Sequence, residues 1–82
     1  MNIKEVLHSS LLDWLIESDT TYTTETMLRE DLGADKKDLI SITYDLEEEL
    51  DIEFTEEDFD AIVYCEDISI GEVIRTTEKY SK

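Results

Sequence analysis

Apolar residues recur three or four positions apart through most of this chain. The longest run, Leu39, Ile42, Thr43, Leu46 and Leu50, makes a single helical stripe. Ile40 and Tyr44 flank it, while Asp38, Asp45, Glu48 and Glu49 take the other side, so the pattern predicts a helix with a buried face and a strongly negative solvent face. Its start is marked by Gly33, which permits a tight turn, and by Asp35 and Asp38, spaced as a capping box. Lys36 and Lys37 stand at the first two helical positions, where the positive end of the helix dipole disfavours each by about a few tenths of a kcal/mol.

Three further helices follow from the same signals. Ile3, Val6, Leu7, Ser10, Leu11, Trp14 and Leu15 form a stripe that begins at the capping-box spacing Asn2 to Glu5 and ends near Glu17, with Leu12 and Ile16 widening it. Ser18 to Thr24 reads as a loop with Tyr22 as a core anchor. Glu25 to Asp31 is expected to make a turn of helix, with Met27, Leu28 and Leu32 inward. Thr55 and Asp58 open a short helix from Glu56 to about Tyr64, with Phe59, Ile62 and Val63 inward; the alternation at Ile52 and Phe54 is too brief for a strand. After the link Cys65 to Ile68, Ser69 and Glu72 open the last helix, with Ile70, Val73, Ile74, Thr77 and Tyr80 on its buried side and Lys79 and Lys82 at its end. The predicted fold is an all-α four-helix bundle with three longer helices and a short third one.

Composition bounds what such a bundle does. At 82 residues the chain is read as one domain, 40% apolar residues suffice for a small core, and a single Cys leaves no intrachain disulfide. Twenty-three acids against seven bases give a net charge of -16, and no Lys or Arg occurs between Asp38 and Glu72. That field repels nucleic-acid phosphates and anionic membranes and steers a basic patch on a protein partner toward it. The plain alternative is that the acids only keep a small protein solvated. Without a long apolar segment or signal-peptide pattern, the expected state is a cytoplasmic monomer with no membrane insertion.

Catalytic chemistry is sparse. One His, one Cys and two Arg offer few candidates for base, nucleophile or oxyanion donor, and no Gly-rich phosphate loop is present. His8 lies off the stripe with no second ligand near in sequence, so it reads as a surface or boundary residue, and Cys65 reads as a small hydrophobe. The stretch Asp45 to Asp60 lacks the central Gly of a calcium loop. The expectation is a protein that is not an enzyme and that holds no cofactor and no metal.

The segments Leu28-Arg-Glu-Asp-Leu-Gly-Ala-Asp35, Asp38-Leu39, Leu46-Glu-Glu-Glu-Leu-Asp-Ile-Glu-Phe54 and Ser69-Ile-Gly-Glu-Val-Ile74 together resemble an acyl carrier protein. The likeness covers most of the chain and is densest from Leu28 to Ile62. It implies a four-helix fold whose second helix meets basic patches on enzymes of fatty-acid or polyketide biosynthesis, with Asp38, Asp45, Glu48, Glu49 and Glu53 as the partner-binding acids. It also implies a small cavity near Leu39, Ile42, Leu46, Ile62 and Ile74, although without a prosthetic arm a solid core is expected.

The likeness breaks at its chemical centre. The family attaches phosphopantetheine to a Ser directly after the Asp that matches Asp35, and this chain has Lys36 there, followed by Lys37 and Asp38. Attachment needs a hydroxyl oxygen to form a phosphodiester, which a lysine ammonium does not provide. The link Val63 to Ile68 is also longer than the family's. Three readings follow: a carrier-like acidic module that binds a basic protein partner, such as a carrier-dependent enzyme; a true carrier with its attachment site moved, for instance to Ser41; and an acidic decoy that mimics nucleic acid.

Overall fold

A computed structural model describes residues 2–80. The described residues form an all-α bundle of four helices, α1 (Ile3–Trp14), α2 (Lys36–Leu50), the short α3 (Glu56–Val63) and α4 (Ile70–Glu78). Each begins at a side-chain cap. Asn2 accepts from the Lys4 N–H, Thr55 from that of Asp58 and Ser69 from that of Glu72. At α2 the box is reciprocal, with the Asp38 N–H donating to Asp35 Oδ1 at 2.9 Å and the Asp35 N–H to Asp38 Oδ2 at 3.2 Å.

The apolar stripes converge on one core. Leu7 and Leu11 of α1, Leu39, Ile42 and Leu46 of α2, Ile62 and Val63 of α3, and Ile70 and Val73 of α4 are almost wholly buried, together with Leu28 from the long connection. Two buried hydroxyls, Thr43 and Thr77, donate to the carbonyls of Leu39 and Val73 four residues back, so neither is left unsatisfied among apolar neighbours. Phe54 meets Tyr80 edge to face at 5.1 Å and closes the core beneath α3. No helix among the described residues is long and apolar enough to cross a membrane.

Three local expectations are corrected. The first helix stops at Trp14 rather than near Glu17, because the N–H groups of Leu15 and Ile16 both donate to the Leu11 carbonyl and the widened last turn brings Ile16 into the core. Trp14 itself is 49% exposed, outside the buried set to which its spacing assigned it. The turn of helix expected over Glu25 to Asp31 is confined to residues 27–33, where the Asp31 N–H donates to the Met27 carbonyl and the Gly33 N–H to that of Arg29. Before it, Thr23 and Thr26 bond locally, with Thr23 N–H donating to Thr26 Oγ1 and Glu25 N–H to Thr23 Oγ1. The backbone of residues 24–28 pairs with the start of α4: Leu28 N–H donates to the Ile68 carbonyl, Ile70 N–H to Thr26 and Gly71 N–H to Thr24, around an antiparallel bridge of Met27 and Ser69. Gly71 permits this approach, since a Cβ there would sit 3.0 Å from the Thr24 carbonyl oxygen.

Candidate functional site: the second helix and its carboxylates

The entrance of α2 is fixed from both sides. Gly33 turns the chain at φ 73°, and the Ala34 N–H returns to the Leu28 carbonyl, leaving Asp35 in extended geometry to cap the helix. Asp35 and Asp38 are thereby committed to each other. Lys36 reaches away from the positive helix end and places its ammonium 4.7 Å from the centre of the Tyr64 ring. Tyr64 is the C-cap of α3, so the cation lies over an aromatic face and beside a helix terminus that carries no basic residue of its own. Lys37 is exposed, and Ser41 is half-buried well inside α2.

The acids of α2 serve different ends. Asp45 is half-buried, and its Oδ2 accepts from Ser10 Oγ at 2.7 Å and from Trp14 Nε1 at 2.8 Å. This carboxylate ties α1 to α2 and explains why an exposed indole is nevertheless held. Glu47 is also occupied, receiving the Phe54 N–H at 2.8 Å after the left-handed Asp51 turns the chain. Glu48, Glu49 and Glu53 are exposed. Glu49 faces a groove between α1 and α2 that also contains Glu5 and Asp13, whereas Glu48 and Glu53 border the groove between α2 and α3. Among the described residues the ion pairs are Arg75 with Glu72 within α4 and Lys79, at the end of α4, with Asp58 of α3, so neither involves an acid of α2.

Two other polar groups hold the frame. The Lys79 side chain, and then the Tyr80 hydroxyl, donate to Asp58 and hold its carboxyl below the usual range, while the same contact raises Lys79. Burial acts to raise Asp67, but the N–H groups of Arg29, Ile68 and Glu30 and the Arg29 charge outweigh it, leaving its pKa lowered. Arg29 in turn donates to the Val63 carbonyl at 2.9 Å, so the end of α3 is pinned to the long connection. No sequence signal marked Asp67, because its partners lie far away in the chain.

The remaining candidates have structural partners. His8 Nδ1 lies 2.6 Å from the Tyr22 hydroxyl, and this bond holds the half-buried Tyr22 against the core, where burial raises its pKa. Cys65 is half-buried with its thiol directed at the Ile62 carbonyl. Among the described residues no group of His, Cys, Asp or Glu is arranged to hold a metal ion. No family model matches the chain.

Proposed function

We propose that the chain is an acidic protein-binding module of acyl-carrier-like design that works without a prosthetic arm. The observation that carries this reading is the exposed carboxylate row Glu48, Glu49 and Glu53, continued by Glu56 and Glu57, in a stretch free of Lys and Arg from Asp38 to Glu72. Such a row meets a basic patch on a folded partner, with enzymes of fatty-acid or polyketide biosynthesis as the class the resemblance implies. Asp38 and Asp45 add to the field from positions already bonded within the bundle. Lys36, resting on Tyr64, takes the place of an attachment hydroxyl with a group that forms no phosphodiester. The module is not itself an enzyme in this reading.

The test has two parts. Intact mass is measured after incubation with coenzyme A and a broad-specificity phosphopantetheinyl transferase; an unchanged mass is expected, and the gain of one phosphopantetheine overturns the arm-free reading. The protein and its Glu48→Gln/Glu49→Gln/Glu53→Gln variant are then immobilised side by side. A partner is expected to bind the first, elute with salt, and be lost from the second; equal retention by both overturns the role of the row.

A further inference from the structure

The acidic face is not uniform, and the part of it between α2 and α3 has an apolar floor. Tyr44 is 58% exposed, and its ring lies 6.0 Å from that of the half-buried Phe59. Ile52 and Phe54 continue the floor where the chain passes from α2 to α3. Carboxylates line it from both helices, Glu48 from α2 and Glu56 from the start of α3, with Glu53 from the link between them. None of these three side chains is engaged in a hydrogen bond or ion pair among the described residues, unlike the neighbouring Glu47, which holds the Phe54 N–H. An exposed tyrosine beside a half-buried phenylalanine leaves apolar area open within a negatively charged frame.

That arrangement specifies its complement. An apolar strip with acids on either side fits a ligand whose apolar stripe is flanked on both sides by basic residues. An amphipathic helix has that layout, since residues at i, i+3, i+4 and i+7 form one stripe and the adjoining positions lie along its borders. An extended segment does not, because alternate side chains point to opposite faces and its basic residues would turn away from the rims. The extended pairing of this chain, the Met27 and Ser69 bridge, involves neither α2 nor α3.

We propose that the α2–α3 groove receives a short basic amphipathic helix of a protein partner. An aromatic or long aliphatic anchor sits on Tyr44, Ile52 and Phe59, and Lys or Arg side chains on both flanks meet Glu48, Glu53 and Glu56. The inference rests on the chain being an acidic binding module and adds the form of the partner and the place where it seats.

The experiment uses the whole protein and two synthetic peptides of about 18 residues. One is a Leu/Lys amphipathic helix with a central Phe, and the other has the same composition scrambled to break the stripe. Calorimetric titration at about 0.15 M salt keeps diffuse charge attraction low. The amphipathic peptide is expected to bind at least about tenfold more tightly than the scrambled one, and Tyr44→Ala to remove most of that difference. Amide NMR shifts on the unaltered protein are expected at Tyr44, Ile52 and Phe59 and not at His8, a readout independent of any variant's folding. Equal affinities for the two peptides, weakened alike by Glu48→Gln/Glu53→Gln/Glu56→Gln, overturn the groove while leaving the acidic module standing. Binding of neither peptide overturns both.

Discussion

The two sides of α2 use the same chemical group in opposite ways. On the side facing α1, the Asp45 carboxylate is consumed by Ser10 and Trp14 and acts as an internal tie. On the side facing α3, Glu48, followed by Glu53 just beyond the end of α2, stands beside an apolar floor with no such partner among the described residues. What separates them is the neighbouring donor: α1 brings a hydroxyl and an indole N–H within reach, and α3 opposes its own acids. A carboxylate's role here is therefore set by the donors within its reach, as Glu47, which receives the Phe54 N–H, and the exposed Glu49 beside α1 also show, and net charge alone does not reveal which acids remain open to a partner.

Removing the floor common to both sides has the largest effect. Leu46 is fully buried between them, and Leu46→Ala is expected to cost about 2 to 4 kcal/mol in a denaturant titration. A cost below about 0.5 kcal/mol would show that the register of α2 is misplaced. The next contrast is between single acids. Asp45→Ala leaves two donors without their acceptor and is expected to cost about 1 to 3 kcal/mol, with altered emission from Trp14, the only tryptophan. Glu48→Gln is expected to stay within about 0.5 kcal/mol and leave that emission unchanged; similar costs for the two would erase the distinction.

Acid titration extends the contrast to the carboxylates that hold the frame. Asp58 and Asp67 have pKa values depressed below the ordinary 3.8, so their contribution to stability is present above that value and is lost as pH falls through the folded values. Melting temperature is expected to decline across that acid limb, and Asp67→Asn to flatten the part of the decline due to Asp67. An unaltered slope in the variant would remove Asp67 from the frame. The smallest effect belongs to the entrance of α2, where Tyr64→Leu is expected to cost about 0.5 to 1 kcal/mol by taking the ring from beneath Lys36. If Lys36→Ala costs nothing in the wild-type background, the contact contributes no stability.

Much of the frame was legible in the sequence because it is local. Asp35 with Asp38, Thr55 and Ser69 each cap a helix through atoms two or three residues away, and the stripe from Leu39 to Leu46 buries itself wherever its neighbours stand. The misread parts depend on distant chain. Periodicity placed Trp14 inward, but nothing in the sequence announced that its ring would lie at the edge and reach Asp45. The turns from Thr23 to Asp31 depend on the arriving residues Ile68 to Gly71, which local propensity does not register. Of the acids assigned to partner binding, Glu48 and Glu49 are exposed as the pattern suggested and Glu53 is exposed as well, while Asp38 and Asp45 are bonded within the bundle.

The close approach of Gly71 to Thr24 also sets an order of events when the chain folds. The helices α2 and α3 are neighbours in sequence and bring few loop-closure costs, whereas the pairing of residues 24–28 with residues 68–71 closes a loop that spans both. Residues 24–28 therefore gain their long-range backbone partners only when the start of α4 arrives, while the bonds within residues 27–34 form locally, and the paired stretch returns to solvent whenever that segment detaches. Amide exchange at Leu28 is thus expected to be coupled to the start of α4 rather than to the helix that follows the connection directly, which makes the last helix the clasp for a segment about half the chain away in sequence.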